Sequence, residues 1–172
     1  MRFGAAWVAA LSIGCAACAP TLDWREVRLA EDSASVLLPC KPTARTRTVK
    51  LGAVSAKMQL HACSAGGVTW AVAHADLVDP ALVGPALAEL RDAFARNLGA
   101  SSRSAMLWQV PGMTPSDQAQ RLRLDGTLPR SEAVQAEAGF FAKGTRIFQT
   151  TAIGPHLDEA SLGTYFAGIR LR

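Results

Sequence analysis

Catalytic signatures are missing from this chain. It contains no H-E-x-x-H, no G-x-x-x-x-G-K-[ST], no G-x-G-x-x-G and no G-x-S-x-G. The patterns that build a zinc protease, a phosphate loop, a dinucleotide site or a nucleophile elbow are therefore excluded. Histidine is scarce: His61, His74 and His156 are the whole supply of imidazole bases. His61 and His74 fall on strand-like segments and His156 on a helix start, so each reads as a satisfied or solvent-facing residue rather than as part of a triad. The carboxylate pairs Glu31-Asp32 and Asp158-Glu159 are sequence neighbours whose side chains diverge. They read as turn residues and helix N-terminal charge. The expectation is a protein that is not an enzyme, with no cofactor and no metal.

Charge is thin as well. No block of five or six like charges occurs, which argues against a nucleic-acid partner. The densest basic stretch, Lys41, Arg45, Arg47, Lys50 and Lys57, is interleaved with Thr, Pro and Val. It reads as the solvated face of a β-hairpin, with a patch facing anionic lipid or a partner as the alternative. Aromatic residues make up only 6% of the chain and are spread over separate segments, as core residues usually are. A dry core is expected, with a ligand pocket between sheet and helix as the rival reading. Repeats and low-complexity tracts are absent.

No apolar run is long enough to cross a bilayer, which takes roughly 17–25 residues. What the N-terminus does have is Arg2, an apolar stretch over residues 3–14, and then Cys15-Ala16-Ala17-Cys18. A basic start, an apolar segment of this length and a small residue before a cysteine make an export signal. It resembles the signal of bacterial lipoproteins, in which the cysteine after the cleavage point receives a diacylglycerol, later joined by a fatty acid such as palmitate. Leu11-Ser12-Ile13-Gly14 before Cys15 fits that pattern better than Cys15-Ala16-Ala17 before Cys18. Lipidation is therefore assigned to Cys15, with Cys18 as the alternative. The resemblance implies a signal peptide over 1–14 (1–17 in the alternative), a short tether over 15–23 and one domain over 24–172. The residue after the modified cysteine is Ala rather than Asp, which implies an outer-membrane lipoprotein facing the periplasm of a Gram-negative host.

Removing residues 1–14 of the 172 leaves 158, with 17 basic residues against 14 acidic ones and a net charge of +3. A chain of that length supports a single domain with its own core. Two cysteines then remain in the folded part, Cys40 and Cys63. An even number in an oxidising compartment points to a disulfide. Cys40 follows one strand and Cys63 ends another, which brings bridging distance within reach. Two free thiols, or a metal site using Cys40, Cys63 and His61 with His74, are the alternatives.

Periodicity predicts an α+β fold with a mostly antiparallel sheet. Strands are expected over 35–38, 45–51, 54–63, 68–75, 104–110, 121–124, 134–141 and 146–153, with a short one after 168. Gly52-Ala53, Gly66-Gly67, Asp125-Gly126 and Lys143-Gly144 read as tight turns. A long amphipathic helix is predicted over about 85–98, with Leu87, Leu90, Phe94 and Leu98 as its stripe and Gly99 as its stop. A short helix follows over 157–167. Four stretches together carry a family resemblance: 36–42 (VLLPCKP), 67–76 (GVTWAVAHAD), the helix ending Asn97-Leu98-Gly99, and 144–149 (GTRIFQ). Their order resembles the Mog1/PsbP-type α/β/α sandwich, and also a group of uncharacterised secreted bacterial domains. PsbP-like proteins support a photosynthetic complex and Mog1-like proteins bind a small GTPase. No residue of those functions is reproduced here, so the resemblance implies the fold alone. The expected role is a lipid-anchored, non-enzymatic binding or accessory module of the cell envelope, with an envelope protein as partner. A small-molecule or lipid carrier with an apolar cavity is the alternative.

Overall fold

A computed structural model describes residues 21–29, 31–100, 102–129 and 132–172. The signal segment, Cys15 and Cys18 lie outside the described residues. The chain runs β1 (Arg25–Leu29), β2 (Ala34–Leu38), β3 (Thr43–Leu51), β4 (Val54–Ala65), β5 (Val68–Asp76), α1 (Val83–Asn97), β6 (Ser102–Leu107), β7 (Gln120–Thr127), β8 (Ala133–Lys143), β9 (Arg146–Gly154), α2 (Glu159–Ala167) and β10 (Arg170–Leu171). Seven strands form one sheet in the order β3-β4-β5-β9-β8-β7-β6, and β1, β2 and β10 form a second. Every pairing among the described residues is antiparallel. The α+β class with a mostly antiparallel sheet and two helices is thus established.

The order follows from two meanders. β3, β4 and β5 are joined by tight turns, and β7, β8 and β9 run in succession beside the edge strand β6. β5 and β9 unite the two meanders, and β5, β9 and β8 all have side chains buried on both faces. α1 connects the halves and lies across one face of the large sheet. Leu87, Leu90, Phe94 and Leu98 are buried there against Leu122, Leu124, Phe140 and Ile147. Ala136 and Ala138 beneath them are fully buried, and their small side chains let the helix lie close. Each Leu or Phe so buried contributes about 1.5–3 kcal/mol.

The helix ends are built locally. Asp79 caps a single 3₁₀ turn over Pro80–Leu82, its carboxylate accepting from the Ala81 amide at 2.9 Å. Pro85 then falls in the first turn of α1, where no amide is required. At the other end Gly99 takes φ +56°. Its amide donates to the Arg96 carbonyl at 3.0 Å, and that of Ala100 donates to Ala95 at 3.1 Å. These two bonds are the Schellman pair. α2 is capped by Asp158, whose carboxylate accepts from the amide and hydroxyl of Ser161, both at 2.8 Å. His156 beside it is exposed.

One expected turn is corrected. Asp125-Gly126 is not a hairpin: β7 runs through it to Thr127, pairing Asp125 with Gln135 and Gly126 with Val134. Glycine is needed at 126 for close approach, because a Cβ there would stand 2.7 Å from the Leu98 carbonyl oxygen. That carbonyl accepts instead from the Thr127 amide at 2.8 Å.

The opposite face of the large sheet is covered by α2 and the three-stranded sheet, so one outer layer is half helix and half strand. Trp70, Tyr165, Phe141, Phe148, Val36 and Leu38 are buried there. Tyr165 is fully enclosed and its hydroxyl donates to the Ala71 carbonyl at 2.5 Å, which ties α2 to β5. Trp108 lies directly on Gly139, where any Cβ would collide with the indole. Trp24 meets Trp70 edge-on at 5.9 Å, and Leu22 lies against Gly66. The chain therefore enters the domain beside the β4–β5 turn.

Candidate functional site

The β3–β4 hairpin sets the site. Its two-residue turn, with Gly52 at φ +61°, pairs Leu51 with Val54 and so fixes every later pair. Val49 faces Ala56, Arg47 faces Met58, and Arg45 faces Leu60. Carried across the sheet, Leu60 pairs with Ala73 and Ala73 with Gln149. Arg45, Leu60, Ala73 and Gln149 thus form one row perpendicular to the strands, on the face that α1 covers elsewhere.

Here α1 gives out and the sheet is left open. A cleft of about 170 Å³ is lined by residues of β3, β4, β5 and β9 and by none of the helix. Its floor is Val49, Met58, Leu60, Ala71 and Ala73, its rim is Arg45 and Arg47, and Gln149 and Thr151 close the far end. Ala71 and Ala73 are small enough to leave a depression between larger neighbours. Leu60 is 36% exposed, which is unusual for a leucine on an apolar sheet face.

The electrostatics single out the rim. Other arginines with described side chains are engaged: Arg25 with Asp23, Arg28 with Asp32, Arg96 with Glu89, Arg123 with Glu159, Arg146 with Asp76 and Arg172 with Glu26. Arg91 bonds Gln120 and Arg170 bonds the Ile169 carbonyl. Arg121 pairs with Glu137 and stacks over Phe166 at 3.9 Å. Arg45 and Arg47 have no ion pair or hydrogen bond among the described residues. The basic hairpin stretch is therefore split. Lys50 and Lys57 point to the other side, as the solvated-face reading requires, while the two arginines share a side with the apolar floor.

A second cleft, between the segment that follows β6 and α2, is lined by Trp108, Arg121, Phe166 and Arg170 among others. Both of its cations are already occupied, as just described. Glu137 beneath it is 5% exposed, and its second oxygen has no hydrogen-bond partner among the described residues. That arrangement is a buried ion pair inside the sealed face, and it presents no unpaired charge to a ligand.

The cysteines and histidines resolve differently. Cys40 and Cys63 form a disulfide with Cα atoms 5.9 Å apart, so neither can ligate a metal. Among the described residues no group of three or more His, Cys, Asp and Glu side chains is placed to hold one. His61 and His74 do come together, their rings nearly parallel at 6.3 Å. The His74 Nε2–H donates to Gln59 at 2.9 Å, and His61 Nε2 is buried without a partner among the described residues. Burial, with help from His61 and Arg146, pulls the His74 imidazole down to about 4. Burial lowers His61 as well. Two neutral rings beside a disulfide offer neither a nucleophile nor a carboxylate partner.

The cleft was the feature hardest to see in sequence. Its signal was present, however: a two-residue turn at Gly52-Ala53 forces arginines opposite Met58 and Leu60, an unusual cross-strand combination.

Fold and site together define an α+β sandwich whose one open sheet face carries unpaired cations over an apolar floor. The chain is similar to the solution structure of cyanobacterial PsbP (CyanoP) from Synechocystis. The TM-score is 0.45 and the sequence identity 12%, and the match covers 92% of this chain and 98% of that one. No protein-family profile matches the chain, and no curated protein does.

Proposed function

We propose that this protein is a non-catalytic binding module of the bacterial cell envelope, held by a lipid on Cys15 at the periplasmic face of the outer membrane. Its recognition surface is the open sheet-face cleft, and its ligand is an anionic envelope component. The observation that carries this reading is the pair Arg45 and Arg47, unpartnered at the rim of an apolar floor. Unpaired guanidinium groups do nothing for the fold and are well suited to carboxylates and phosphates. The carrier reading is weaker, because carriers enclose their ligands and this cleft is open along the sheet.

With a lipid on Cys15, a short tether would keep the domain near the bilayer. From Cys15 to Thr21 an extended chain spans only about 20 Å. Two measurements test the reading. Metabolic labelling with an alkyne fatty acid should mark the wild type and Cys18→Ser but not Cys15→Ser. A photo-crosslinking residue at position 60 should capture an envelope component in living cells, and should lose it in Arg45→Glu/Arg47→Glu. Normal processing and labelling of Cys15→Ser would overturn the anchor; crosslinks indifferent to the arginines would overturn the recognition surface.

A further inference from the structure

We infer that the outer edge of β6 is a self-association surface, on which two copies of this chain pair their β6 strands antiparallel about a dyad at Met106. The inference is separate from the binding-module reading, because the cleft is built by β3, β4, β5 and β9, towards the opposite edge of the sheet.

The seven-stranded sheet has two edge strands, and only one is guarded. An unpaired strand edge invites another strand, and charges on the edge strand deter it. β3 carries Arg45, Arg47 and Lys50, all exposed, so two β3 edges would set cations against cations. β6 has no such guard over Ser104, Ala105, Met106 and Leu107, which are uncharged and exposed. Met106 is 58% and Leu107 72% exposed, so nothing among the described residues covers this edge.

The backbone fixes how a partner joins. The Trp108 amide donates to the Ala119 carbonyl at 3.0 Å, in the register that sets Met106 opposite Arg121 and Ser104 opposite Arg123. Hydrogen-bonded pairs alternate along an antiparallel ladder. Ser104, Met106 and Trp108 therefore turn their amides and carbonyls towards β7, and Ala105 and Leu107 turn theirs outwards. A second β6 satisfies all of these outward groups in one antiparallel register, with Ala105 against the partner's Leu107 and Leu107 against the partner's Ala105. The ladder is irregular between Ser102 and Ser104, and the strand ends at Leu107. A shifted register would leave outward groups unpaired.

The side chains fit the same register. Ala105 pairs with Leu122 of the α1 core, so on that face Leu107 meets the partner's Ala105, large against small. On the other face Met106 meets the partner's Met106, and no charge opposes a like charge. The edge is thus self-complementary, as a two-fold interface requires. A foreign strand would be selected by pockets for its alternate side chains, and neither cleft described above is lined by residues 104–107. The dyad stands perpendicular to the joined sheet, so both copies present their clefts on the same side.

The test is disulfide trapping in the purified full chain. At the dyad the two copies of position 106 form a non-hydrogen-bonded pair with Cα atoms about 4.5 Å apart, within reach of a bridge. Met106→Cys should give a 106–106 linked dimer under mild oxidation, identified by mass spectrometry. Leu107→Cys replaces the more exposed side chain, yet its two copies lie about 8 Å apart. It should be trapped about tenfold less or weaker still. Light scattering in detergent should show a concentration-dependent dimer for the wild type. Met106→Lys, which sets like charges directly opposite, should raise its dissociation constant about tenfold or more. Equal trapping at 106 and 107 would overturn the dyad at Met106. A wild type that stays monomeric up to roughly 100 μM, or a dimer that Met106→Lys leaves intact, would overturn the interface. Arginine-dependent capture at position 60 by a monomeric protein would remove the dimer and leave the binding module standing.

Discussion

The two faces of the seven-stranded sheet are built to different ends. The face under α2 and the small sheet is rich in aromatics, and Trp24, Trp70 and Tyr165 meet edge-on in series at 5.9 and 5.2 Å. Most of its polar groups are paired, as in Arg121 with Glu137 and His74 with Gln59, although His61 Nε2 and one Glu137 oxygen are buried there without a partner among the described residues. The face under α1 is aliphatic and well packed beneath the helix, and then simply stops. Beyond the helix lie a half-exposed leucine, small alanines and two arginines without partners. Both faces carry a buried core, but exposed cations without partners among the described residues are found over the apolar floor of the second.

The largest effect should come from opening the sealed face. Trp70 is 2% exposed and touches both Trp24 and Tyr165. Trp70→Ala should cost about 3–5 kcal/mol, the range for a deleted core aromatic, read as a lower urea midpoint with an unchanged slope. A cost under about 1 kcal/mol would mean that the aromatic face is not the principal source of stability. Next comes the disulfide, which staples the β2–β3 turn to the end of β4 across 23 residues. Reducing it should cost about 3 kcal/mol in the chain-entropy model. Melts with and without reductant check this, and equal midpoints would refute it.

A third effect sharpens the contrast through pH. The folded-state pKa of His74 lies at about 4, below its ordinary 6.5, chiefly because the ring is buried. A depressed imidazole favours the folded state only while it is neutral. Its contribution is complete above pH 6.5 and declines as pH falls from there towards 4. The protein should therefore be about 1–2 kcal/mol less stable at pH 5 than at pH 7.5, after allowing for partial solvent screening. His74→Leu should flatten that slope. An unchanged slope in the variant would place the acid sensitivity elsewhere.

These contrasts show what could be read from the sequence and what could not. The α1 stripe of Leu87, Leu90, Phe94 and Leu98 and the stop at Gly99 were legible because helix period and C-cap chemistry are local. The hairpin at Gly52-Ala53 was legible for the same reason. Asp125-Gly126 misled, since a glycine required by an approaching carbonyl looks the same in sequence as one required by a turn. The second sheet was missed because β10 has only two residues and joins β2 from the far end of the chain. Its pairing is set by tertiary contact alone. The cleft was half legible: alternation placed Leu60 on the apolar side, but nothing local says where a helix above a sheet will end. Such an edge depends on the angle at which α1 crosses, which is a property of the whole packing.

The smallest effect is the one that separates the two faces most cleanly. If Arg45 and Arg47 serve a ligand, their charge should be dispensable for folding. Both lie on an exposed edge strand and make no ion pair or hydrogen bond among the described residues. The nearby lysines Lys41, Lys50 and Lys57 are cations too, so reversing two charges removes repulsion rather than attraction. Arg45→Glu/Arg47→Glu should therefore shift stability by no more than about 0.5 kcal/mol, in either direction, measured in the same urea series as Trp70→Ala. A loss of 2 kcal/mol or more would show that the arginines hold the hairpin in place. The open face would then be a structural surface like the other, and the case for a recognition site there would lose its main support.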